Sequence, residues 1–353
     1  MCGSLKTTFA GVTSALLLAL LLFGRATPAS VGVARLRQDE RQSISQTVFK
    51  DYKDSDDLLD SSGGSTVRRE PVGRRAALPS PVEFRESGDR GLLVKTWVND
   101  AGPFTFAIDT GAGANLLSSR TAGAARVEVE AGGGRGIEIG GLSGARSGGA
   151  QKAFVRGLAL GSRENTLPAR GLFVVASGLP SDIDGILDPS EVFGSLGFRI
   201  DIPTGELSFF DPRVEPLHAG DAPHGGAVVP WLTEGSSRRP FVMLGEGRRA
   251  LLDTGSGFGL AVDEAAARAL GILLNGGRGR GGTRDLAGGE VPSRRVRAAT
   301  ISIGSLVLRG VPTDLLLHAE KGAPVILGRD ALRPFHITFD PLNRLIMFDP
   351  RVG

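Results

Sequence analysis

The chain contains the same passage twice, in the same order and at nearly the same spacing, and this repetition restricts its fold more than any other feature. In the first copy, residues 94–111 carry Val94, Trp97 and Val98, then Phe104, Phe106 and Ile108, and end on Asp109-Thr110-Gly111. In the second, residues 240–255 carry Phe241, Val242 and Leu244, pass through glycines, and end on Leu251-Leu252-Asp253-Thr254-Gly255. Each reads as an apolar strand, a Gly-containing turn and a second apolar strand, which is a β-hairpin that delivers an aspartate into the loop after it. The copies also close alike. Asp184-Gly185-Ile186-Leu187 precedes Phe198-Arg199-Ile200-Asp201 and an ending at Asp211-Pro212. Val325-Ile326-Leu327-Gly328 precedes Phe335-His336-Ile337 and an ending at Asp349-Pro350. The Asp-Thr-Gly motifs lie 144 residues apart (109 to 253) and the closing Asp-Pro pairs 138 apart (211 to 349). An offset that nearly holds over a whole lobe points to duplication.

The predicted architecture is all-β: two tandem lobes with few short helices and an active site at the lobe interface. Composition agrees, because 52 glycines against 6% aromatics suit short strands and tight turns better than long helices. Each lobe carries a Gly-rich stretch, 132–141 and 276–289, followed by strand-like segments at 154–160 and 297–308. Hairpins over a cleft need that composition, so Gly136, Ile137, Gly279 and Gly281 are read as substrate-covering flaps. The best helical segment is 263–270 with Gly271 as its stop, followed by Asp188-Pro189-Ser190-Glu191, where an N-cap, a proline at the first position and a capping-box glutamate coincide. The chain divides into a signal peptide (1–29), a flexible tether or propeptide (30–80), lobe one (81–212), a linker (213–226) and lobe two (227–353).

The N-terminus carries Lys6, an apolar stretch over 9–23 and small residues suited to cleavage after Ala26 or Ala29. That apolar run is shorter than a spanning helix needs, so export to the periplasm or the exterior is expected, with an uncleaved membrane anchor as the alternative. Residues 31–80 are polar, with the acidic run 51–60 and the pairs Arg68-Arg69 and Arg74-Arg75. They lack the apolar surface to fold alone. Cys2 is the only cysteine and precedes the apolar run, which excludes disulfides, a thiol nucleophile and Cys-ligated zinc from the folded part. The net charge of +3 is too small, and aromatics too few, for a nucleic-acid partner.

Two carboxylates brought by equivalent loops can meet across a pseudo-twofold axis. So close together they cannot both ionise cheaply, and one keeps a proton. The charged one can then take a proton from a water while the neutral one donates to a substrate carbonyl, with no covalent intermediate, metal or cofactor. Asp109 and Asp253 are the candidate catalytic pair. Thr110 and Thr254 have hydroxyls able to bond across the loops, and Gly111 and Gly255 let the backbones turn and approach. Ala112 follows the first motif and Ser256 the second. A hydroxyl beside Asp253 can donate to its ionised form, which makes Asp253 the expected charged member.

With these residues the chain resembles the retropepsin and pepsin group of aspartic proteases, in a two-lobe, single-chain form. The resemblance covers 81–353 and is anchored on Phe106-Ala107-Ile108-Asp109-Thr110-Gly111-Ala112-Gly113 and Leu251-Leu252-Asp253-Thr254-Gly255-Ser256-Gly257. It implies an endopeptidase with a polypeptide substrate, monomeric because both loops are in one chain. Ile186-Leu187 and Ile326-Leu327-Gly328 match the apolar element that passes behind each loop in that group. Asp188 stands where the group has glycine, and Tyr52 is the only tyrosine, so none is available for a pepsin-like flap. The Asp188 departure keeps open an inactive, protease-like peptide-binding module. A zinc site from His218, Asp221 and His224 is a weaker alternative, because these lie in a Pro/Gly-rich linker. His318 and His336 are expected on turns or strands without a role. The G-x-G-x-x-G run at 277–282 is not expected to bind a dinucleotide, since no helix should follow it.

Overall fold

The computed structural model describes residues 77–88, 90–130, 137–167, 171–235, 237–245, 247–275, 277 and 279–351, with only the backbone described at 279–282. The signal peptide, nearly all of the tether and Gly136 lie outside the described residues.

The described residues form an all-β fold with four short α-helices, Ser119–Ala124, Pro189–Val192, Glu264–Ala269 and Arg329–Leu332. The two halves repeat one strand order. In the first, Ala101–Ile108 is followed across the sheet by Gly185–Leu187, Asn115–Ser118, Phe173–Ala176 and Arg146–Phe154. In the second, Arg248–Asp253 is followed by Val325–Gly328, Leu260–Val262, Thr313–Leu316 and Glu290–Arg295. The senses match as well. Gly185–Leu187 runs parallel to Ala101–Ile108 and antiparallel to Asn115–Ser118, as Val325–Gly328 does to its two neighbours. Strands of three or four residues in the middle of these sheets are buried on both faces, which is why Gly185-Ile186-Leu187 and Val325-Ile326-Leu327 are apolar throughout.

A further six-stranded sheet joins the halves, in the order Val82–Glu83, Glu206–Phe210, Gly197–Asp201, Phe335–Asp340, Leu345–Pro350, Ala227–Pro230. Its central pair is the two closing segments of the repeat, antiparallel with Phe198 opposite Phe339. Those rings stack at 4.6 Å, with Trp231 edge-on to both. The scarce aromatics are thus concentrated where the halves must hold together, and each such pair adds about 1 kcal/mol beyond its buried area.

Local signals explain the ends of elements. The first hairpin turns on Asn99 and Asp100, both at positive φ, so its glycine follows the turn instead of forming it. The second turns at Gly245, also at positive φ. Asp263 caps Glu264–Ala269 by accepting from Ala266 N at 2.6 Å, and Gly271 at φ +66 stops it. Asp188 caps Pro189–Val192 as expected, with proline in the first turn. The capping box does not close, because the Asp188 N–H donates to Asn115 Oδ1 (3.0 Å) and leaves Glu191 no role there. No helix among the described residues is long and apolar enough to cross a membrane.

Candidate active site

Asp109 follows the strand Ala101–Ile108, and Asp253 ends the strand Arg248–Asp253. Both loops are locked by a reciprocal set of hydrogen bonds between their threonines. Thr110 Oγ1 donates to Leu252 O (2.6 Å) and accepts from Thr254 N (3.1 Å). Thr254 Oγ1 donates to Ile108 O (3.0 Å) and accepts from Thr110 N (3.1 Å). Both threonines are fully buried, so their hydroxyls and N–H groups, which could find no water, are satisfied by four hydrogen bonds across the interface.

The glycines serve the same approach, for a sharper reason than turning the chain. A methyl at Gly111 would fall 2.7 Å from Cγ of Asp253, and one at Gly255 would collide with the Asp109 carboxyl. Each carboxyl therefore lies against the bare Cα of the opposite loop. Gly111 N also donates to Asp109 Oδ1 (2.8 Å), and Ser256 N to Asp253 Oδ1 (2.9 Å). Ser256 thus reaches Asp253 through its backbone. Its hydroxyl instead accepts from Phe258 N at 3.3 Å, which corrects the expected donation from that side chain.

Burial, and then the charge of Asp253, push the Asp109 carboxyl well above its ordinary range. Burial also raises Asp253, opposed by the hydrogen bond from Asp109, by the N–H groups of Ser256 and Gly255, and by the charge of Arg329. The pair is built to share one proton, with its negative charge favoured on Asp253.

Arg329, which sequence reasoning missed, is the largest fully buried side chain. Its guanidinium donates to Thr254 O (3.0 Å) and Gly255 O (2.9 Å) behind the second loop, and to Gly88 O (2.7 Å) of the N-terminal part of the first half. Glu86 lies 3.6 Å from it and 2.6 Å from Arg333. An arginine directly after Ile326-Leu327-Gly328, inside an otherwise apolar element, was the available signal.

At the matching place behind the first loop stands Asp188, fully buried. A side chain at Gly328 would strike Phe258 O (2.5 Å) and Ser256 O (2.9 Å). In the first half the loop leaves room, and the Asp188 carboxylate accepts from Gly113 N (2.8 Å), Ser190 N (2.9 Å) and Ser190 Oγ (2.6 Å). The substitution is seated without displacing Asp109 from its partners.

The expected flap segments are hairpins, and Ile137, Gly279 and Gly281 lie on their strands. Ile137 lies on Ile137–Gly140, opposite Ala150. Gly279 and Gly281 pair with Arg294 and Ser293 at the end of their hairpin away from the tip. The tips are 141–145 and 285–289, and they meet. Asp285 Oδ2 accepts from Ser143 N (2.8 Å) and Ser143 Oγ (2.6 Å), while Oδ1 holds Ala287 N and Gly289 N of its own turn. Leu142 of the first flap packs on the second half's cluster of Phe258, Val291, Leu316 and Ile326. Leu286 of the second flap packs on the first half's cluster with Leu116, Val174 and Ile186. The two hairpins thus meet through a leucine from each and through the Asp285–Ser143 hydrogen bonds.

Other expectations resolve simply. Asp221 accepts from His218 N at 2.6 Å, and no group of three His, Cys, Asp or Glu side chains suited to a metal occurs among the described residues. His318 lies in a turn at positive φ. His336 is on a strand but not isolated, since its Nδ1 lies 2.9 Å from Asp201 Oδ2 and from Arg351 Nη2. The stretch 279–284 is strand, with no helix following.

A family model described as aspartyl protease matches residues 241–331, from the second hairpin through the helix that follows Gly328. No curated protein matches the chain. Among solved structures, the crystal structure of basic 7S globulin from soybean is similar over 77% of this chain and 94% of its own, at 12% identity and a TM-score of 0.44. The family match thus covers part of the second half, from Phe241 to Ala331.

Proposed function

We propose that the chain is an aspartic endopeptidase that hydrolyses peptide bonds with a water activated between Asp109 and Asp253. The observation that carries this reading is the crossed placement of each carboxyl on the opposite loop's glycine, locked by the threonine pair. Asp253, favoured as the anion, takes the proton from the water. Asp109, held protonated by burial, donates to the carbonyl oxygen of the scissile amide, and the proton taken up then leaves with the amine. Two Gly-rich hairpins from a single chain support a reading nearer the retropepsin type. The rival reading as an inactive peptide-binding module drew its weight from Asp188, and that carboxyl is accommodated by three donors. The leader-like segment 1–29 supports export.

The test is digestion of unfolded casein and of a mixed peptide library across pH 3–8, with and without a statine-type inhibitor and EDTA. Inhibitor-sensitive, EDTA-insensitive internal cleavage is expected. Inhibitor binding without cleavage at any pH would establish the binding module instead.

A further inference from the structure

The two loops repeat one another in their backbone pairing, yet the charges behind them are opposite. Val325–Gly328 places Gly328 beside Asp253 in the parallel register, and Arg329 follows. Gly185–Leu187 places Leu187 beside Ile108, so the next residues across the sheet are Asp109 and Asp188. The Asp109 N–H donates to Leu187 O at 2.9 Å, which brings the Asp188 backbone against the first loop. A cation therefore backs one carboxyl and a buried carboxyl backs the other.

We propose that Asp188 is a positioning residue for this pair: its buried carboxyl, directly after the strand that runs beside Asp109, takes up negative charge as pH rises, holds the shared proton on Asp109 and leaves Asp253 the charged partner. The proposal rests on the dyad reading above and deepens it.

The surroundings support it. Asp188 has no cation among its three hydrogen-bond donors, which are two N–H groups and a hydroxyl. From its own helix it faces Glu191, whose charge raises it further. From the loop it faces Asp109, and Asp253 with Arg329 lies across the interface. From the strand Ser237–Leu244 of the second half, Arg238 reaches Gly194 O and acts on Glu191, while Arg239 runs past Gly113. Burial holds Asp188 up to about 7. It thus charges in the range where a carboxyl pair would otherwise give up its last proton, and a like charge opposes that loss. Arg329 acts at every pH, Asp188 only toward neutrality. Together they widen the window in which the pair carries one proton.

The experiment compares wild type with Asp188→Asn, which keeps one acceptor oxygen, enough for the two Ser190 donors, gives up the one for Gly113 N, and cannot charge. Asp188→Ser serves as the second variant should Asn not fold. Two readouts are taken: the pH profile of kcat/KM on one peptide, and the carboxyl-carbon NMR titration of Asp-labelled protein, with Asp109 assigned through Asp109→Asn. The expected result is an alkaline limb about one pH unit lower, an unmoved acidic limb, and an Asp109 titration lowered in parallel. A merely structural role scales the whole profile down without moving its limbs, and that outcome, or an unmoved Asp109 titration, overturns the proposal. If no variant hydrolyses peptide, the protease reading falls, while the Asp109 titration alone still decides the Asp188 inference.

Discussion

A methyl group at Gly111 would lie 2.7 Å from Cγ of Asp253, so the carboxyl of one half occupies the space that a side chain would need in the other. Gly255 and Asp109 repeat the relation, and neither glycine is at positive φ. What these positions require is room and not an unusual backbone. Gly111→Ala and Gly255→Ala should therefore leave folding largely intact while pushing the opposite carboxyl out of line. A displacement of about 1 Å costs on the order of 100-fold in rate. Steady-state kinetics beside a thermal melt decides it. Near-normal kcat in either variant would show that the carboxyls are not confined as described.

Asp109→Asn and Asp253→Asn should each remove peptide hydrolysis, because one loses the acid and the other the base. Residual activity below about a thousandth of wild type is expected from either. A statine-type inhibitor should bind each variant more weakly, measured by calorimetry, since one partner of its hydroxyl is lost. Near-full turnover in one variant would leave that aspartate outside the chemistry.

The threonine lock makes a prediction about stability. Thr110→Val keeps shape and β-branching but deletes the donor to Leu252 O and the acceptor for Thr254 N, both buried. Leaving two buried backbone groups unpaired should cost about 2–4 kcal/mol, read from urea unfolding. Thr110→Ser keeps both bonds and should cost under about 1 kcal/mol. Equal losses in the two variants would mean that packing and not the lock sets the cost.

Much of this was legible in the sequence because duplication repeats its landmarks. Asp109 and Asp253, Thr110 and Thr254, and the strands behind them follow from two copies of one pattern. What was hidden are the features that break the repeat. Arg329 is the clearest, because Pro189 stands at its place in the first half, whereas Asp188 showed in the sequence through the glycine, Gly328, that stands at its own place in the second. The residues of the hairpin turns were not legible, because Gly-richness marks where the backbone can bend, whereas the turn falls where Asp285 captures Ala287 N and Gly289 N. Ser256 was misread because a hydroxyl next to a carboxylate in sequence need not point at it.

The clasp between the flaps should govern access. Asp285→Ala removes the acceptor for two Ser143 donors and for the turn itself. Partly exposed bonds of this kind should shift KM by about three- to tenfold while kcat changes less, because the acid and base are untouched. Limited proteolysis should cut first at 141–145 or 285–289. Unchanged KM and unchanged cutting would show that the tips hold through Leu142 and Leu286 alone.

Stability should respond to pH in an unusual direction. Most carboxyls in folded chains are held below their ordinary range and lose stabilisation in acid, as Glu86 does here through Arg333. Asp188 is the reverse. The fold raises it from an ordinary 3.8 to about 7, so between those values the folded chain binds the proton more tightly than the unfolded one. Stability contributed in this way is fully present below about 4, declines as pH rises toward 7, and is gone above it. The loss is on the order of 4 kcal/mol for a carboxyl this deeply buried. Asp109 and Asp253 are raised too and act with the same sign. Thermal midpoints should therefore fall between pH 5 and pH 8, with a maximum near pH 4–5, below which Glu86 begins to lose its partner. Asp188→Asn cannot titrate, so its midpoint should fall less steeply over that interval, while the slope owed to Asp109 and Asp253 remains. Parallel curves for the two proteins would mean that Asp188 finds a compensating charge on folding, and the account of a carboxyl behind the first loop would fail with it.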